Sequence, residues 1–88
     1  MSLGKTLKTL SDPQRREILE LVKKHYRMSA GEIADTLGMS PQKLSYHLKL
    51  LKESDLLVES KEKNFVYYEL NASLFDELLL WLKQFKAN

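Results

Sequence analysis

Leucines recur at Leu3, Leu7 and Leu10. This i, i+4, i+7 spacing predicts a short amphipathic helix over 3–11, with Gly4 weakening its start. Asp12-Pro13 interrupts the pattern. An Asp that caps and a Pro at the first helical position open a second helix running to about Lys24, with Ile18, Leu21 and Val22 as its buried stripe. Residues 25–28 read as a link. Ser29 and Glu32 then form a capping box, in which each side chain takes the other residue's backbone N–H. Ile33, Ala34 and Leu37 make the next apolar stripe, and Gly38 is suited to stop that helix at positive φ. Ser40 caps and Pro41 starts another helix, whose apolar positions are Leu44, Leu48 and Leu51. Helix, short Gly-containing turn, helix over 29–53 is the helix-turn-helix pattern.

Beyond Glu53-Ser54-Asp55 the period changes from helical to two. Residues 56–60 and 65–70 read as strands, with Phe65, Tyr67 and Glu69 on one face and Val66, Tyr68 and Leu70 on the other. Lys61-Glu62-Lys63-Asn64 is expected as a four-residue hairpin loop with Asn64 at positive φ. A hairpin after a helix-turn-helix is a wing, here spanning 56–70. Asn71 and Ser73 are the candidate caps of a last helix over 72–86. The expected fold is mainly α with a small β-hairpin, a winged helix-turn-helix of four helices, a hairpin and a final helix.

In that last helix Leu74, Phe75, Leu78, Leu79, Leu80, Trp81, Leu82 and Phe85 cover too much of the circumference for one core-facing stripe. The first helix has a leucine stripe without an obvious inner partner. A two-fold homodimer through the terminal helices follows, with Leu3, Leu7, Leu10, Leu74, Leu78, Trp81, Leu82 and Phe85 at the interface. The alternative is that both helices fold back onto their own core.

Composition bounds what remains. The chain of 88 residues suits one domain over 1–88 with a modest core, and 43% hydrophobic and 30% charged residues fit a folded soluble chain. A net charge of +2 is too small to name nucleic acid as a partner, so the distribution of charge has to carry that inference. No cysteine is present, which excludes disulfides, thiolate metal ligands and Cys nucleophiles. No apolar run approaches membrane-spanning length and the N-terminus does not read as a signal peptide, so a cytoplasmic protein is expected.

The helix after Pro41 sorts its charge. Leu44, Leu48 and Leu51 lie on one side with His47 at its edge. Gln42, Tyr46 and Lys49 lie opposite, flanked by Lys43 and Ser45. No acidic residue occurs from Ser40 to Lys52, so this face can meet a polyanion. Gln can read adenine edges and Lys can meet guanine or phosphate. Arg15 and Arg16 sit in a first helical turn, where the dipole disfavours cations. They point either to an external anion or to an ion pair with Glu20 or a neighbouring helix.

These residues in this order resemble the ArsR family of small dimeric winged-helix repressors, from about Lys5 to Lys86. The resemblance is carried by Asp12-Pro13-Gln14-Arg15-Arg16-Glu17-Ile18-Leu19, Glu32-Ile33-Ala34, Ser40 through Leu51, and Tyr67-Tyr68-Glu69-Leu70. The missing cysteines and the Leu/Trp-rich last helix look most like its SdpR-type, non-metal-sensing branch. The resemblance implies a dimer on an imperfectly palindromic operator, with half-sites about 34 Å apart. It places Gln42, Lys43, Ser45 and Tyr46 at base edges. Ser40 and Lys49 fall at phosphates, Lys61 and Lys63 on the wing, and His47 in a structural role. Where many members carry metal-binding cysteines this chain has Ser29, Ala30 and Gly31. The last helix has Asp76 and Glu77 but no histidine, so no metal and no cofactor are expected. Lys61 and Asn64 stand where wings of the family carry Arg and Gly. Asp55 replaces a Gly at a position that calls for positive φ. Release from DNA is left to a sequestering membrane protein or a small molecule between protomers.

The leading expectation is therefore a sequence-specific repressor, autoregulatory and homodimeric. The competing one is a winged-helix protein-interaction module, an antitoxin or a complex subunit. An enzyme is not expected, since no nucleophile is paired with a base and no Gly-rich phosphate loop occurs.

Overall fold

The computed structural model describes residues 1–86. Side-chain caps set the starts of the three middle helices among the described residues. α1 spans Leu3–Leu10 and α2 spans Pro13–His25, with the Asp12 carboxylate accepting from the N–H groups of Gln14 and Arg15. α3 (Ala30–Leu37) opens on the capping box: Ser29 N–H donates to Glu32 Oε1 at 2.9 Å and Glu32 N–H to Ser29 Oγ at 3.2 Å. The Ser29 bonds hold the Glu32 carboxyl below the usual carboxylate range. Gly38 stops α3 at φ +63°. α4 (Pro41–Glu53) starts with Ser40 Oγ accepting from the Lys43 N–H. α5 spans Ala72–Lys83. It ends three residues before the expected limit, and neither expected cap acts through its side chain. The Asn71 backbone carbonyl accepts from Leu74 and Phe75, and Ser73 lies inside the helix.

A three-stranded antiparallel sheet has the order β1-β3-β2, with β1 at Met28–Ser29, β2 at Leu57–Glu62 and β3 at Phe65–Leu70. The expected link over 25–28 thus ends in a strand, with Met28 opposite Tyr68 and Ser29 opposite Tyr67. The hairpin is tighter than expected. Glu62 pairs with Phe65 and Lys61 with Val66, so Lys61 lies in a strand and only Lys63 and Asn64 make the turn. Two-residue connections match the twist of the flanking strands. The positive φ falls on Lys63 (+58°), not Asn64, while Asp55 takes +60° as its position calls for.

The core gathers Ile18, Val22, Ile33, Leu44, Leu48, Leu51, Leu56, Leu57 and Tyr68 between the helix-turn-helix and the sheet. Within α2, Leu19 is buried and Leu21 only partly so, which rotates the inner face from the expected stripe. In α1 the buried residues are Thr6 and Thr9, while Leu7 is 42% exposed. Leu74 and Leu78, expected between protomers, are instead buried within the protomer at 4% and 8% exposure, because the α5 turn carrying them faces its own chain. Leu79, Leu80, Leu82 and Phe85 are left at 50–68% exposure. The radius of gyration is 13.7 Å, above the roughly 12 Å of a compact chain of this length. The protomer is therefore elongated and leaves apolar helix surface uncovered.

Tyr26, at the end of α2, has φ +70° and ψ −47°, a strained conformation for a bulky residue, and its side chain is 70% exposed. Tyr26→Gly removes that strain without losing buried area. It is expected to stabilise the fold by about 0.5–1 kcal/mol, net of glycine's larger unfolded-state entropy. A lower midpoint than wild type in urea would contradict this.

Candidate nucleic-acid interface

α4 is held from behind. Leu44, Leu48 and Leu51 are at most 3% exposed, which fixes the helix's rotation about its axis. That rotation puts Ser40, Gln42, Lys43, Ser45, Tyr46 and Lys49 in solvent on the outer side, with Tyr46 59% exposed. The Ser40 oxygen accepts the capping bond from Lys43, which leaves its O–H free to donate to an anion. α3 and α4 also border a groove of about 250 Å³ lined by Ala30, Gly31, Ala34, Ser45 and Lys49 and by Tyr68 of the sheet.

The wing is braced by charge. Arg27 donates to Glu62 at 2.8 Å, and its guanidinium lies 4.1 Å above the Tyr67 ring centre. Lys52 donates to Glu59 at 3.0 Å. The Glu59 hydrogen bond raises the Lys52 pKa. Burial, followed by the Glu59 charge, raises that of the Tyr68 hydroxyl. Both wing carboxylates of β2 are thus neutralised by the body. Among the described residues, Lys43, Lys49, Lys61 and Lys63 form no ion pair. These four lysines are exposed and keep their charge available to an external anion. Lys52, also basic and next to this face, is spent on Glu59. Arg27 and β1 escaped the sequence reading because a two-residue strand has no periodicity to detect.

Arg15 and Arg16 both turn to the neighbouring helix, and neither pairs with Glu20. Arg15 Nε donates to the Thr9 carbonyl at 2.8 Å and Arg16 Nη1 to the Leu10 carbonyl at 2.7 Å. The two guanidinia satisfy carbonyls at the C-terminal end of α1, where the helix dipole favours cations. Arg15, only 8% exposed, also reaches Asp12 Oδ2 at 3.8 Å and His47 Nδ1 at 3.3 Å. Desolvation alone would raise the Asp12 carboxyl, but the N–H donors of Gln14 and Arg15 and the Arg15 charge outweigh it and hold it low. His47, 4% exposed, is pushed below the usual imidazole range by burial, and the cations Arg15 and Lys43 add to this against the pull of Asp12. Arginine can only donate, so His47 Nδ1 accepts and the ring proton sits on Nε2, which is buried without a partner.

No group of three or more His, Asp or Glu side chains that could hold a metal occurs among the described residues. Among them, too, no helix is long and apolar enough to cross a membrane.

The family model described as "Helix-turn-helix domain" matches residues 10–60. The transcriptional repressor SdpR of Bacillus subtilis (strain 168) is 34% identical over 83 residues, covering 94% of this chain and 91% of that protein. An arsenical resistance operon repressor of Staphylococcus aureus is 32% identical, covering 88% of this chain and 73% of the repressor. Among solved structures, an ArsR-like transcriptional regulator from Rhodococcus sp. RHA1 superposes with a TM-score of 0.86 at 26% identity, over 93% of this chain and 76% of that one. The solution structure of a homodimeric winged helix-turn-helix DNA-binding domain from Mycobacterium bovis superposes at 0.76 with 24% identity, over 97% and 82%, and so shares the fold. The order of the elements, the outward face of α4 and these similarities agree: the chain belongs to the ArsR family of winged helix-turn-helix transcriptional repressors.

Proposed function

We propose that the chain is a sequence-specific DNA-binding repressor that occupies a palindromic operator as a homodimer and controls its own transcription. The outer face of α4, free of acidic residues from Ser40 to Lys52, carries this reading, since the inner face is locked in the core and leaves Gln42, Lys43, Ser45 and Tyr46 free for a major groove. Ser40 and Lys49 supply phosphate contacts, and Lys61 and Lys63 lie along the wing. The protomers join through Leu3, Leu7 and Leu10 of α1, Trp81 and Leu82 of α5, and Phe85 just beyond it. No metal, cofactor or catalytic step enters this reading. Release from DNA falls to a sequestering membrane protein or a small molecule.

Fluorescence anisotropy tests it, with labelled duplex from the protein's own upstream region against a scrambled duplex at two salt concentrations. Tighter binding to the upstream duplex, weakening with salt, is expected. Gln42→Ala or Tyr46→Ala should narrow the gap between the duplexes by about 5–100-fold. Lys49→Ala should weaken both alike and lower the salt slope by about one. Equal weak binding to both duplexes would remove autoregulation. A failure to enrich any sequence from a random library would favour a protein-interaction module instead.

A further inference from the structure

Arg15 stands where three elements meet, and the outer face of α4 makes no use of it. Its fork takes a carbonyl of α1, a carboxylate at the α1–α2 turn and the ring of His47, whose neighbours Tyr46 and Lys43 are on the reading face. The Tyr46 and His47 rings lie 5.8 Å apart. The bond from Arg15 to His47 is the only hydrogen bond between side chains of α2 and α4 among the described residues, and it joins positions 32 apart in sequence. We propose that Arg15 is a positioning residue that locks the reading helix to the N-terminal helix of the dimer interface, and that protonating His47 opens the lock. The proposal rests on the DNA-binding reading above.

The chemistry is one-way. A neutral His47 accepts the Arg15 N–H at Nδ1. A protonated ring has two N–H donors and no acceptor, so the bond is lost and two cations face each other about 3.3 Å apart inside the protein. The groups facing the ring are Asp12 and Arg15 from the α1–α2 side and Lys43 from α4 itself. Asp12 alone favours the proton, and it already accepts from two backbone N–H groups and pairs with Arg15. Separate recognition helices on one duplex must hold a set distance, so loosening α4 against α1 removes more specific than non-specific affinity. Acidification by itself makes a protein more cationic and tightens non-specific DNA binding. The proposal therefore predicts a pH effect on specific binding of the opposite sign to plain electrostatics.

The test uses a duplex enriched by the wild-type full chain from a randomised library at about pH 7.5, with a scrambled duplex as control. Between about pH 7.5 and 5.0, a window carried lower because His47 is held below the usual imidazole range, wild type is expected to lose at least about threefold in affinity for the enriched duplex, with no loss on the scrambled one and unchanged circular dichroism. His47→Asn keeps an acceptor near Nδ1 and cannot titrate. It should still prefer the enriched duplex, with its pH dependence gone. His25→Gln, at the far end of α2, should keep the wild-type profile. Arg15→Lys retains the charge but cannot span the Thr9 carbonyl and the His47 ring together. It should lose about tenfold on the enriched duplex alone, with dimer mass unchanged. A wild-type pH profile in His47→Asn, or wild-type affinity ratios in Arg15→Lys, would overturn the lock. A library from which the wild type enriches nothing would overturn the DNA-binding reading and the lock with it.

Discussion

The double substitution Leu82→Glu with Phe85→Glu is expected to turn the proposed dimer into a folded monomer and to weaken binding to an enriched operator duplex by at least about a hundredfold. Both side chains are open in the protomer, at 50% and 67% exposure, and Phe85 packs edge-on against Trp81 at 5.0 Å between ring centres. Nothing in the protomer's own core depends on them, so the variant should still melt cooperatively, at a midpoint independent of its concentration. In the proposed dimer the same positions would meet their symmetry mates, and two pairs of carboxylates would be desolvated without cations to pair them. The large loss on DNA follows from valency. Once one recognition helix is seated, the second binds at an effective concentration set by the dimer, and a monomer forfeits that gain. Sedimentation equilibrium and anisotropy on one preparation separate the outcomes. A variant that stays dimeric puts the interface elsewhere, and a monomer that binds as wild type removes the dimer as the binding unit.

Leu51→Ala should cost roughly 2–5 kcal/mol, because Leu51 is fully buried between the helix-turn-helix and the sheet and its removal leaves a cavity that stiff neighbours fill only in part. A domain of this size has about 4–13 kcal/mol in total, so the variant is expected to melt roughly 10–30 °C lower or to be unfolded at room temperature. Leu80→Ala, on the same scale, removes a side chain that is 68% exposed and should change stability by less than about 0.5 kcal/mol. Urea titration of the two side by side checks the assignment of inside and outside. A Leu51→Ala loss no larger than that of Leu80→Ala would mean that α4 is not seated as described.

Much of the fold was legible along the chain because the signals that bound its helices are local. Asp12, Ser29 with Glu32, and Ser40 each close a hydrogen bond within three residues, and Gly38 needs only its own φ. Such bonds form wherever the neighbours are right, so sequence order suffices to place them. The sorted faces of α4 were legible for the same reason, since a helix's period alone decides which residues share a side. The outward set from Gln42 to Lys49 and the inward Leu44, Leu48 and Leu51 followed from that, whereas the positive φ at Asp55 was implied by the family resemblance and not by any period.

Tertiary structure decided what depends on distant partners. β1 exists only because β3 lies beside Met28 and Ser29. The turn of the wing is set by the register of Glu62 with Phe65, which moved Lys61 into a strand and put Lys63 in the left-handed conformation. Nothing local to Arg15 and Arg16 names their partners; the fold brings both to carbonyls at the end of α1, and Arg15 also to the Asp12 carboxylate and His47. In α5 the leucines are chemically alike, so composition could say that several sides were apolar but not which side the protomer keeps. Packing answered that by burying Leu74 and Leu78 and leaving Leu79, Leu80, Leu82 and Phe85 exposed. The physical reason is the same in each case. Backbone caps and periodicity act over a few residues, whereas burial and charge pairing are settled by whichever group the folded chain brings near.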